Sequence, residues 1–194
     1  MWNFSSIEIK VALGILAGVI SFLAYIPYIV SIVKKETRPS RSSWWIWSII
    51  GLMIMFSYYS VGARSTIWVP VVFFLCPLIV AILSLRFGEG QGFNKLDKTC
   101  LLGTFISMIP WIILKSAVIT LFINILMDFL GFLPTFKKTF LNPIYESKTS
   151  WILFFFGSIL NMLAIESFTL TIASYPIYMT IMDTIMLSLL YRKY

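Results

Sequence analysis

Two carboxylates fall where a carboxylate is expensive. Asp128 and Asp183 lie inside apolar runs at 117–136 and 169–190, and a charged side chain at the centre of a membrane helix costs at least about 2.5 kcal/mol even on lenient insertion scales. Groups kept there against that cost are candidates for carrying a proton or for facing a cationic substrate. Each has a polar neighbour one helical turn earlier on the same face, Asn124 before Asp128 and Thr180 before Asp183. No Lys or Arg is evident inside either run. Ser21, Tyr25 and Asn161 complete the polar set able to face a shared cavity, and the mid-run amide of Asn161 needs hydrogen-bond partners. Other chemistries are missing from the chain. It has no histidine, which removes His-ligated metals, imidazole acid–base catalysis and Ser/His or Cys/His dyads. Cys76 and Cys100 sit in or beside apolar runs and read as small packed hydrophobes. No HExxH or Gly-x-Ser-x-Gly occurs, and Gly88-Glu89-Gly90-Gln91-Gly92 lacks the Lys-Ser/Thr ending of a phosphate loop, so it reads as a flexible linker. Neither an enzyme nor a bound metal or cofactor is expected.

The elements that must position these groups follow from composition. The chain has 194 residues, 59% hydrophobic and 12% charged, about half the charged share of a soluble domain. So many apolar residues would find no dry interior in so short a soluble protein, and the expected solvent is a bilayer. Runs at 9–33, 44–63, 67–86, 99–114, 117–136, 151–167 and 169–190 approach the roughly 20 residues that a spanning helix needs. The expectation is an all-α polytopic membrane protein with seven transmembrane helices. With the N-terminus outside, Lys34, Lys35, Arg38, Arg41, Arg86, Lys95, Lys98, Lys137, Lys138, Lys148, Arg192 and Lys193 lie inside, and Lys10, Arg64 and Lys115 lie outside. That split of twelve to three fits the positive-inside rule with a cytoplasmic C-terminus. The net charge of +7 is thereby assigned to topology and anionic lipid, not to nucleic acid. Trp44, Trp45, Trp47 and Trp151, at the starts of runs, read as interfacial anchors.

An internal repeat organises the runs. Tyr25-Ile26-Pro27-Tyr28 is followed by a basic loop and Ser40-Arg41-Ser42-Ser43-Trp44, while Phe132-Leu133-Pro134-Thr135 is followed by a basic loop and Ser147-Lys148-Thr149-Ser150-Trp151. Both Pro-to-Trp separations are 17, and the two pentapeptides align at an offset of 107. The chain then reads as three helices, a linker helix and three helices: 1–87, 88–115 and 116–194. Two parallel repeats about an axis along the membrane normal follow from that count. Pro27 and Pro134 occupy equivalent places and are expected to act as hinges, with Gly131 the flexible partner of the second.

The three-one-three order, the proline in the first helix of each triplet and the basic loop before a Ser/Thr-rich, Trp-containing helix start resemble the PQ-loop/SWEET superfamily of seven-helix transporters. The Pro-Gln dipeptides stand here as Pro27-Tyr28 and Pro134-Thr135. The resemblance implies two triple-helix bundles flanking a central pathway, with the prolines as hinges of alternating access. The expected function is transport of a small polar or cationic solute such as an amino acid, sugar or vitamin, proton-linked through Asp128 or Asp183, in a bacterial plasma membrane rather than an organelle. A sorting receptor or scaffold on the same fold and a PnuC-like vitamin facilitator remain open, as does a homo-oligomer. Solute, protons and lipid are the expected partners.

Overall fold

The computed structural model describes residues 6–60, 68–89, 92–114, 117–165 and 170–192. Arg64, Lys115, Glu166 and Lys193 lie outside them, as do Gly90 and Gln91 of the glycine-rich stretch. Seven α-helices follow in order: α1 (Ser6–Val33), α2 (Arg41–Ser60), α3 (Trp68–Phe87), α4 (Lys95–Leu114), α5 (Ala117–Leu141), α6 (Lys148–Leu163) and α7 (Leu170–Tyr191). A short 3-10 turn, Pro143–Tyr145, precedes α6, and the described residues contain no strand. The fold of the described residues is therefore all-α.

Local chemistry sets the helix ends. The Asn94 side chain accepts from the Asp97 N–H (3.1 Å) while the Asp97 carboxylate accepts from the Asn94 N–H (2.9 Å), a reciprocal cap at the start of α4. Ser147 caps α6 by accepting from the Ser150 N–H. The basic segment after the second-copy proline is not a loop where Lys137 and Lys138 lie. α5 runs through both to Leu141 and ends where Asn142 precedes Pro143, a position biased against helix.

The helices form two units, Met1–Val30 with Ser147–Tyr194, and Ser31–Glu146. In the second, α2 packs against α3, α4 and α5, with Ile46, Ile50, Met53, Cys100 and Met127 in its core. In the first, α6 packs against α7 and along α1. Each unit thus holds the second and third helices of one sequence triplet and the first helix of the other, a grouping that differs from the division 1–87, 88–115 and 116–194.

The two pairings carry the repeat in side-chain detail. In one unit Trp47 of α2 meets Phe132 of α5 edge-on, with centroids 5.1 Å apart; in the other Phe154 of α6 meets Tyr25 of α1, also at 5.1 Å. Trp44–Trp47 (4.9 Å) is likewise matched by Trp151–Phe154 (5.6 Å). Every residue in the second set stands 107 positions from its counterpart in the first. At the helix starts, the Ser43 hydroxyl donates to Ser40 (3.0 Å) and the Ser150 and Ser147 hydroxyls share a hydrogen bond (2.8 Å). Two of the four tryptophans expected to anchor the helices are buried, and Trp45 and Trp47 are half-buried. Trp44 and Trp151 are 2% and 3% exposed, because each packs as the first ring of these edge-on series.

Close helix approach depends on glycine. A Cβ on Gly51 would collide with the Phe73 carbonyl oxygen and lie 2.8 Å from the Phe74 Cα, backbone atoms of α3 that have no rotamer to change. Gly51→Ala is expected to destabilise the protein by about 1–3 kcal/mol through overpacking. Gly18→Ala, where a Cβ meets nothing within 4 Å, is expected to be neutral or to stabilise slightly through helix propensity. Thermal melts of both variants in detergent check the pair; equal behaviour would contradict it.

Two stretches, Glu8–Val33 and Ala173–Tyr191, are long and apolar enough to cross a membrane. Exposed large hydrophobics occur on α1, α3, α4, α5 and α7, while Asp97, Asp128, Asp183, Lys138 and Glu146 are buried. A water-soluble domain distributes these residue types the other way.

Candidate functional site

The polar residues singled out from sequence divide between the units. In the first unit they gather around α6. Gly157 leaves room for α1, since a Cβ there would meet the Ser21 hydroxyl and lie 3.4 Å from the Ala17 carbonyl oxygen. Ser21 is thus packed at this helix contact, and Tyr25, a turn further along, is buried against Phe154. The Thr180 hydroxyl lies 2.9 Å from the Pro176 carbonyl and 3.3 Å from that of Ser158 on α6. One of those carbonyls belongs to its own helix and the other to the neighbour, so Thr180 joins α7 to α6. Asp183 follows three residues later on α7 and is 1% exposed, and Asn161 is half-buried on α6. Pro27 lies within α1, which runs through it to Val33.

In the second unit Asp128 and Asn124 share a face of α5. Asp128 is 5% exposed. The side-chain oxygen of Asn124 is buried and accepts no hydrogen bond from any described residue. Such an acceptor is costly unless a ligand or water satisfies it. Gly131 serves close packing here: a Cβ would sit 2.8 Å from the Trp47 indole nitrogen and 3.1 Å from the Ile46 side chain. The helix continues through Pro134. Thr135, which follows Pro134, is fully buried and donates to the Ser43 hydroxyl (2.8 Å). Its counterpart Tyr28 is also fully buried.

Sequence reasoning missed a buried polar network where α2, α4 and α5 meet the connections of this unit. The Ser42 hydroxyl donates to Asp97 (2.5 Å), which also closes the α4 cap. Lys138 pairs with Glu146 and donates to the Arg38 carbonyl (2.7 Å). Arg41 donates to the Glu89 carbonyl (2.6 Å) and the Gly92 carbonyl (3.2 Å). The described residues of the glycine-rich stretch, expected to be a flexible linker, are therefore held by the Arg41 guanidinium, which donates to the Gly88, Glu89 and Gly92 carbonyls. A cavity of about 280 Å³ opens here, with Arg41, Glu89, Asp97, Lys137 and Lys138 among its walls. Burial pushes the Glu89 carboxyl above the usual range; Asp97 and Glu146 add to the rise, and Lys138 and Lys137 oppose it. The Asn94-x-x-Asp97 capping spacing was the readable signal for part of this network. Nothing local marks Lys138 and Glu146 as partners.

Compared with protein-family models, curated proteins and solved structures, the chain gives no match.

Proposed function

We propose that the chain is a seven-span membrane transporter, N-terminus outside and C-terminus cytoplasmic, moving a small polar or cationic solute by alternating access. Proton linkage runs through Asp128 or Asp183, and the membrane is a bacterial plasma membrane. The observation that carries this reading is the placement of the two carboxylates. Asp128 is buried on a helix that turns Phe122, Leu126 and Phe129 outward, and Asp183 on one that turns Ile177, Ile181 and Ile185 outward. Hydrocarbon suits those exposed faces, while a carboxylate is retained on a membrane helix chiefly where it lines a pathway or proton relay. The buried, unsatisfied Asn124 oxygen beside Asp128 adds a ligand-seeking acceptor. The repeat supports the same architecture, since transporters of this build place their sites between repeated halves, and so does the resemblance to the PQ-loop/SWEET superfamily.

The test is flux. Purified protein in liposomes, given labelled amino acids, sugars, nucleosides and vitamins with and without a pH gradient, is expected to accumulate one class well above protein-free liposomes. Capture of peptides with no flux of any solute would favour the sorting-receptor reading instead.

A further inference from the structure

Cations collect where three segments of the second unit end. Lys34 and Lys35 follow α1, Arg38 lies between α1 and α2, and Arg86 is in the last turn of α3. Basic residues at helix C-termini complement the helix dipole, and that accounts for Lys34, Lys35 and Arg86 singly. It does not account for their convergence. Lys35, Arg38 and Arg86, with Phe87 and Gly88, line one cavity of about 450 Å³, and no carboxylate is among these lining residues.

The cations are held in place. The Arg38 guanidinium lies 4.0 Å from the centre of the Tyr145 ring, its backbone N–H donates to the Tyr145 carbonyl (3.0 Å), and its own carbonyl accepts from Lys138. The Arg86 guanidinium lies 5.5 Å from the Phe87 ring centre. Lys35 has a φ of 63°, the one positive value at a non-glycine position among the described residues. Its N–H donates to Ile32 and that of Glu36 to Ser31, both at 2.9 Å, as in a left-handed helix cap. Glycine or asparagine would hold that conformation at lower cost, so a lysine kept there points to use of its charge. Beside the cavity, α3 turns Leu75, Ile79, Ile82 and Leu85 outward at helical spacing, along the face that ends at Arg86.

We propose that this cavity binds the phosphate of an anionic phospholipid, with the acyl chains lying along the exposed face of α3. Inorganic phosphate shares the anion chemistry but has no use for the apolar row, and that row decides for lipid. The proposal rests on the membrane-spanning reading above.

The experiment follows the melting temperature of the full chain in detergent, at fixed ionic strength, during titration with dioctanoyl phosphatidylglycerol, dioctanoyl phosphatidylcholine or inorganic phosphate. A ligand that binds only the folded state raises the melting temperature with concentration. Phosphatidylglycerol is expected to do so and the other two are not. Lys35→Gly with Arg86→Gln is expected to weaken that binding about thirtyfold, or about 2 kcal/mol at roughly 1 kcal/mol per charge. Lys95→Gln with Lys98→Gln, exposed lysines outside the cavity, should leave it unchanged. Lys35→Gly alone separates charge from fold: without lipid it should melt no lower than the parent, yet bind phosphatidylglycerol more weakly. Equal responses to the two lipids, a phosphate response matching that of phosphatidylglycerol, or equal weakening by the Lys95/Lys98 variant would each overturn the proposal. Carbonate extraction from membranes reads insertion separately. Release of the parent protein would strike the spanning reading, whereas retention without lipid selectivity removes the headgroup site alone.

Discussion

Asp128→Asn is expected to leave the protein folded in the bilayer and to abolish the response of solute uptake to an imposed pH gradient. The substitution keeps the shape and polarity of the side chain and removes its ability to exchange a proton. Asp128 is 5% exposed on α5, so a neutral amide there relieves the burial of an ionisable group while ending any proton cycle that runs through it. For one proton moved per solute, each pH unit is worth about 1.4 kcal/mol, or roughly tenfold accumulation. Wild-type liposomes held one unit apart should approach that ratio, and the variant should fall to about onefold while still equilibrating the solute. Asp183→Asn provides the second arm. If only one variant loses the gradient response, that residue is the carrier; if both keep it, proton linkage through these carboxylates is refuted. The offset of 107 maps Asp128 onto Ser21, which is packed against Gly157. Coupling through Asp128 therefore has no counterpart in the first copy.

The largest loss of stability is expected from separating Lys138 and Glu146. Their side chains are 1% and 0% exposed. Both charges have left solvent, and removing one partner leaves the other without its counter-charge. Lys138→Met should destabilise the protein by about 3–5 kcal/mol. Lys138→Met with Glu146→Leu removes both charges, and apolar replacement of a buried pair is often neutral or better, so most of the loss should be recovered. Denaturation of the two variants and the parent in one detergent measures the difference. A double variant no more stable than the single one would show that hydrogen bonds to the connections, such as that from Lys138 to the Arg38 carbonyl (2.7 Å), matter more than the pair itself.

The sequence was most legible where its signal was local or periodic. All seven helices were visible as apolar runs, and the clearest misplacement, the basic loop assigned to Lys137 and Lys138, arose because two lysines resemble a boundary when nothing local shows that one of them is neutralised by Glu146. The repeat was legible because it rests on an exact offset, and the ring pairs Trp47–Phe132 and Phe154–Tyr25 carry it into side-chain contacts. Tryptophan at a helix start was a poor guide. The same residue serves at a boundary or in a core, and only the edge-on partners of Trp44 and Trp151 distinguish the two.

By itself, then, the sequence determined the helical class, the seven helices of the described residues, the repeat and the burden of carboxylates inside apolar runs, because each is written in composition, period or spacing. Tertiary structure alone decided which helices pair. α3 and α4 are apolar over most of their circumference, and such a helix carries no amphipathic stripe to announce its buried face. What selects the partner is fit: Gly51 against the α3 backbone, Gly131 under the Trp47 ring and Gly157 beside Ser21. The last two join residues far apart in the chain and set the first helix of each triplet against the second helix of the other.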